Sequence, residues 1–279
     1  MKKMFLLMII LILLMLTIDS IIYKCQYNRD IKYAEKLSSN GQSIIVGQPD
    51  VFSKQESYFK DGITVSIQFV YPLLLIVLGS YMFHKKIHSG FFKNVLARKK
   101  YNEYINIEML KSWSAAFLIP IFIVLSFVFS CIVTNFNFDL MSWQANMFTG
   151  AIVNKTVISE ILRFTQITIN LFVISLVCVN VGLIFARKNK NFILSCVLGY
   201  LVIIVYQIIA AVIVGPILSN VFNNDFFANG LTLFSFWYYD SGVTFINMFI
   251  YSVILFIITT ILFKIIYKNE ENVIIDAEK

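Results

Sequence analysis

The sequence predicts an all-α polytopic membrane protein with six transmembrane helices and both termini cytoplasmic. Three observations carry that expectation. Of 279 residues, 58% are hydrophobic and 14% charged, against about 25% charged in an ordinary soluble domain. The apolar residues gather into runs long enough to cross a hydrocarbon core of about 30 Å. Fifteen of the 23 Lys and Arg fall in the segments an N-inside topology places in the cytoplasm, as the positive-inside bias requires. An amphipathic helix between spans two and three and re-entrant helices between spans five and six complete the predicted fold. The whole chain, 1–279, reads as a single transmembrane domain.

Lys2 and Lys3 precede an apolar run from about 5 to 22. No small-x-small cleavage site follows it, so it reads as an uncleaved first span. The outer loop 24–61 is the largest polar segment outside the membrane. Its six basic and five acidic residues nearly cancel. Gly41, Gly47 and Pro49 predict an irregular chain there, with a helix near Ile31–Leu37. The second span covers about 62–83 and contains Pro72. A basic loop, 84–113, leads to the third span, about 114–134. Residues 135–160 return to the outside. The fourth span (about 161–186) and the fifth (about 192–215, ended by Pro216) are joined by the short basic turn of Arg187, Lys188 and Lys190. Residues 216–242 contain no Lys or Arg. A sixth span, about 243–267, precedes a short polar tail.

Several chemistries are excluded or left without support. There is no GxxxxGK[ST], HExxH or GxSxG motif. Four cysteines without a CxxC, and two histidines, His84 and His88, give neither a disulfide framework nor a zinc site. No acid–base pair lies at bilayer depth: Asp19 and Arg163 sit near span ends, where headgroups or water reach them. An intramembrane enzyme is therefore disfavoured, and no catalytic or metal-binding residue is assigned. The net charge of +7 belongs to membrane topology and anionic lipid rather than to nucleic acid.

Polar side chains nevertheless form patterns inside the spans. Arg163, Gln166, Asn170 and Asn180 fall within about a 100° arc of the fourth span. Interhelical hydrogen bonding is the commoner origin of such a stripe; lining a translocation path is the other. Gln68 and Tyr71 in span two, with Tyr206 in span five, pose the same choice. In the last outer loop, aromatic residues including Phe226, Phe227, Phe236 and Trp237 crowd a segment without basic residues. That pattern predicts short helices dipping back into the outer leaflet, a re-entrant gate, against the alternative of an aromatic belt. Asn154-Lys155-Thr156 matches a glycosylation sequon, but the Lys/Ile/Asn-rich composition points to a bacterial cell membrane.

The basic loop is the most informative stretch. Phe91, Phe92, Val95, Leu96 and Tyr101 recur at helical spacing, and Lys93, Asn94, Arg98, Lys99 and Lys100 make the opposite side. The loop reads as a helix lying at the inner membrane surface. Gly90-Phe91-Phe92-Lys93-Asn94-Val95-Leu96 resembles the loop before the third span of ABC-2-type exporter permeases. There the pattern runs Gly, two apolar residues, Lys-Asn and an apolar pair. The six-span arrangement resembles the same family along nearly the whole chain. The chain departs from it in starting span one almost at the N-terminus, and in its longer first outer loop.

The resemblance implies a transport subunit rather than an enzyme. Phe91, Phe92, Lys93, Asn94, Val95 and Arg98 would form the coupling helix that seats in a cytoplasmic ABC ATPase dimer. No cofactor would bind this chain, since ATP and magnesium belong to the partner subunit. A second permease chain, identical or related, would complete the path within the lipid bilayer. The cargo would be an amphipathic or hydrophobic substrate such as a peptide toxin, bacteriocin or antibiotic. The rival reading is a non-transporting membrane immunity or scaffold protein that sequesters a toxin.

Overall fold

Long apolar runs in a medium without water must satisfy their backbone internally, and helix does this within one segment. The computed structural model describes residues 2–39, 50–60, 63–88, 100–138, 156–187, 189–223 and 245–269. Among the described residues every element is helical, and there is no strand. The helices are α1 (Lys2–Ser39), α2 (Val51–Lys60), α3 (Ile63–His88), α4 (Tyr101–Trp113), α5 (Leu118–Val133), α6 (Val157–Ala186), α7 (Phe192–Ile209), α8 (Gly215–Phe222) and α9 (Phe245–Ile266). A 3₁₀ turn, Ser114–Phe117, joins α4 to α5. A π-helical segment, Ala210–Val214, joins α7 to α8.

Five of these helical stretches are long and apolar enough to cross a bilayer: Lys3–Leu37, Tyr101–Val133, Val157–Ala186, Phe192–Phe222 and Phe245–Ile266. The protein is therefore a multi-helix membrane protein. Its surface agrees: α9 alone leaves Ile246, Ile250, Ile254, Ile257, Ile261 and Ile265 between 48% and 64% exposed, a stripe that lipid covers and water would not tolerate. α3 stands outside those five, with 26 residues and Pro72 inside it.

Three boundaries differ from the sequence expectation, each for a local reason. The outer loop, expected to be irregular apart from a helix near Ile31–Leu37, is helical at both ends. α1 runs on through Ser39, because residues 24–39 contain no Gly or Pro to stop it. α2 follows Asp50, whose carboxylate caps it by accepting from the Ser53 N–H at 2.8 Å. The basic loop is shorter than expected. His84–His88 completes α3, and Tyr101 begins α4, leaving 89–99 between them outside the described residues. The fifth span does not end at Pro216. The π-helical turn before it accommodates the missing N–H, and the helix continues to Phe222. It stops at Asn223, which takes the left-handed conformation (φ 49°).

The described residues pack as two units, one within Met1–Met8, Gln68–Pro120 and Gln166–Lys279, the other within Ile9–Ile67 and Ile121–Thr165. In the first unit the contact pairs fix helix direction. Tyr71 meets Ser175, Ile76 meets Gly182 and His88 meets Ala186, so α3 and α6 run parallel. α9 runs with them, since Thr260 and Ile266 meet Asn180 and Arg187. α4 runs against them, from Glu108 beside Lys86 to Trp113 beside Asn180. α7 does likewise, from Phe192 beside His84 to Gly199 beside Ile76. The second unit is built on α2. Phe52 packs its ring against Phe127, Phe138 and Phe164, while Arg163 reaches Glu56 at 2.9 Å and Glu160 at 3.3 Å.

Candidate functional site: a collar of helix ends

Three helices of the first unit, α3, α6 and α9, end at the same level, and helix ends leave backbone carbonyls without intrahelical donors. Side chains supply the donors. The ring N–H of His84 (Nε2) donates to the Asn189 carbonyl at 2.7 Å, and that of His88 to the Ala186 carbonyl at 3.0 Å. A carbonyl only accepts, so both rings carry their proton on Nε2 here. Tyr267 donates its hydroxyl to the Leu183 carbonyl at 2.8 Å, Tyr101 donates to the Tyr267 carbonyl at 2.7 Å, and Arg187 donates to the Ile266 carbonyl. The rings of Phe83, Phe263 and Tyr267 pack against one another beside these bonds in tilted and edge-on pairs.

The charge pattern matches the geometry. Lys85 and Lys86 lie in the last turn of α3 and Lys264 in that of α9, where cations complement the negative ends of the helix dipoles. Glu108 of α4 is the counterweight. Its buried carboxylate pairs with Lys86 of α3 and with Lys111 at 2.8 Å. The Lys86 contact is a charge-assisted hydrogen bond that ties α4 to the end of α3. α7 starts from the same level, its first turn capped by the Asn191 side chain, which accepts from the Ile193 and Leu194 N–H groups at 3.0 and 3.4 Å.

Farther along the same helices lie the polar residues singled out in the sequence. Asn180 is fully buried and bonded on three sides. It accepts from the Trp113 indole at 2.8 Å and donates to Thr260 at 3.0 Å and Thr259 at 3.3 Å. Tyr71 is buried and bonded to the Ser175 hydroxyl at 3.1 Å. Counting about 1.5 Å per residue from the shared contact with Ile76, Ser175 and Tyr206 both fall about 10 Å farther from the collar. Ser175, bonded to Tyr71, and Tyr206 thus stand at about the same height on α6 and α7. Asn170 lies beyond that height, fully buried, with neither amide atom hydrogen-bonded among the described residues. Gln166, half-buried, is one turn farther. Gln68 belongs to α3, but its side chain lies outside the described residues, as do Phe91, Phe92, Lys93, Asn94, Val95, Arg98, Phe226, Phe227, Phe236 and Trp237.

Sequence reasoning missed the collar itself. Both histidines carry a signal, being four residues apart on a basic helix end, but spacing alone speaks only to metal ligation and not to carbonyl partners. Among the described residues no His/Cys/Asp/Glu group could hold a metal. The fold and site define a helical membrane protein whose helix ends are tied by side-chain-to-carbonyl bonds. Comparison with protein-family models, curated proteins and solved structures gave no match.

Proposed function

We propose that the chain is the permease subunit of an ATP-driven exporter of the ABC-2 type, moving an amphipathic peptide or other hydrophobic substrate out of the cell membrane. In this reading α3 is the sixth membrane span, and the alternating directions of α3, α4, α6, α7 and α9 support it. The observation that carries the proposal is the collar. The stretch 89–99 leaves α3 just after His88 and enters α4 at Tyr101, and both residues are bonded to the ends of other helices. The Lys86–Glu108 pair staples the two ends of that stretch together.

A push on 89–99 would therefore reach helix ends that are already tied to their neighbours. It would pass through His84 and His88 to the α6–α7 turn, and through Tyr101 and Tyr267 to α9 and α6. Buried bonds to backbone carbonyls hold their geometry better than exposed side-chain pairs. In a separate ATPase dimer, closure on ATP would supply the push, with Phe91, Phe92 and Val95 seated in a groove and Lys93 and Arg98 steering onto it. Tyr71, Ser175 and Tyr206, with Asn170 and Gln166 beyond them, mark the stretch of the path this motion would reshape. Two chains would frame the path.

The test is copurification. Tagged chain from its native host should bring down a soluble ATPase with a phosphate-binding loop. The double variant Phe91→Asp, Phe92→Asp should lose that ATPase while still inserting into the membrane. Retention of the ATPase by the variant, or capture of none by the parent chain, would count against the proposal.

A further inference from the structure

The second unit contains a cation site that the exporter reading does not use. Lys54 of α2 is 4% exposed, and a buried ammonium is costly unless it is compensated. Its ammonium lies 4.0 Å from the ring centroid of Tyr23 and 4.2 Å from that of Tyr58, and it donates to the Ser57 hydroxyl at 3.1 Å. Paired aromatic faces at this distance recognise cations through the ring quadrupole. The arrangement is pre-set: the Tyr58 hydroxyl is 2.5 Å from the Ser20 hydroxyl, which in turn donates to the Leu16 carbonyl at 2.6 Å. Two buried carboxylates, Asp19 and Asp50, belong to the same unit. Burial pushes the Tyr58 phenol up to about 12, with the Asp19 charge acting in the same direction, so the ring stays neutral and its face stays negative.

We propose that the Tyr23–Tyr58 pair is a recognition site for a primary ammonium group, filled in the resting chain by Lys54 and taken over by a lysine side chain of a peptide. The chemistry selects a lysine. Lys54 reaches the rings on a four-methylene stem, and a peptide lysine has the same reach. An aminophospholipid would carry a phosphate in with its ammonium, against the charges of Asp19 and Asp50. The identity of the ligand rests on the peptide-exporter reading; the site rests on the described geometry alone.

The experiment uses the full chain purified alone, so its outcome is independent of whether an ATPase binds. In Lys54→Ala, n-propylammonium chloride should raise the melting temperature while sodium chloride at equal concentration does not. The added variant Tyr58→Leu should abolish the difference. An equal response to both salts, or a response that survives Tyr58→Leu, overturns the site. If Lys54→Ala does not fold, acetylation of Lys54 in the parent chain replaces it as the readout. An amphipathic peptide bearing lysines should increase Lys54 acetylation several-fold, and the same peptide with its lysines acetylated should not. No increase overturns the proposal. The same increase from phosphatidylethanolamine micelles without peptide overturns the assignment to lysine.

Discussion

Trp113 donates its indole N–H to the side-chain oxygen of Asn180 at 2.8 Å, and the Asn180 amide passes the connection on to Thr259 and Thr260. One buried asparagine thus ties α4, α6 and α9. Asn180→Ala would leave the indole without its acceptor. The expected loss of stability is about 1 kcal/mol, the scale such bonds reach inside bilayers. Trp113→Phe should cost a similar amount, and the double variant less than the sum. A double-mutant cycle in detergent unfolding measures this; additive losses would remove the bond from the account.

The α3–α6 seam makes a sharper prediction, because its glycines differ in what faces them. A Cβ on Gly79 would lie 2.7 Å from Val179 Cγ1, and one on Gly182 would lie 3.2 Å from the Ile76 Cα and 3.3 Å from its carbonyl oxygen. Both Gly→Ala changes should destabilise by about 1–3 kcal/mol through overpacking. Val179→Ala should rescue Gly79→Ala, since a side chain can be trimmed. No side-chain change should fully rescue Gly182→Ala, where backbone is in the way. Gly199→Ala, with its nearest neighbour at 3.6 Å, should be close to neutral.

The collar should weaken in acid. Burial lowers the His84 pKa below its ordinary 6.5, and the neighbouring His88 adds to the effect while the bond to Asn189 opposes it. A folded pKa below the unfolded one means that the unfolded chain takes up the proton first. The contribution is therefore whole above pH 6.5 and declines as pH falls from there toward the folded value. His84→Gln keeps an N–H for the Asn189 carbonyl but cannot titrate. Melting temperature followed from pH 7.5 to 5 should fall less in that variant than in the parent chain. Parallel curves would contradict the assignment.

Cysteine labelling separates the helices by exposure. Cys25 is exposed, whereas Cys131, Cys178 and Cys196 are buried. A membrane-impermeant maleimide added to intact cells should modify Cys25 and leave the other three until the protein is unfolded. Labelling of Cys25 only after the membrane is permeabilised would reverse the topology of the first span.

Hydropathy made the spans legible because each apolar run needs only its own sequence to declare itself. It was silent where helix persists without being apolar. The helix near Ile31–Leu37 is legible, but 24–30 of α1 and 51–60 of α2 read as irregular because polarity alone does not separate helix from loop. Pro216 read as a stop because a π-helical turn cannot be seen in composition. The polar residues inside the spans were found, but their meaning depended on partners. Asn180 and Asn170 share one stripe, yet Asn180 meets Trp113, Thr259 and Thr260, and Asn170 meets no hydrogen-bonding group among the described residues. Which helices face each other decides that difference, and periodicity within one helix carries no such information. The collar escaped for the same reason: its acceptors are backbone carbonyls, which every residue has.

The central claim is that an ATP-driven partner presses on the stretch hung from His88 and Tyr101. The most direct measurement replaces Phe92 with a photo-reactive benzoylphenylalanine and irradiates cells that make the chain at native levels. A crosslink to a cytoplasmic ATPase subunit is expected, and it should be lost when His88 and Tyr101 are both replaced by alanine. Crosslinks to lipid alone, or to a protein outside the cell, would contradict the claim.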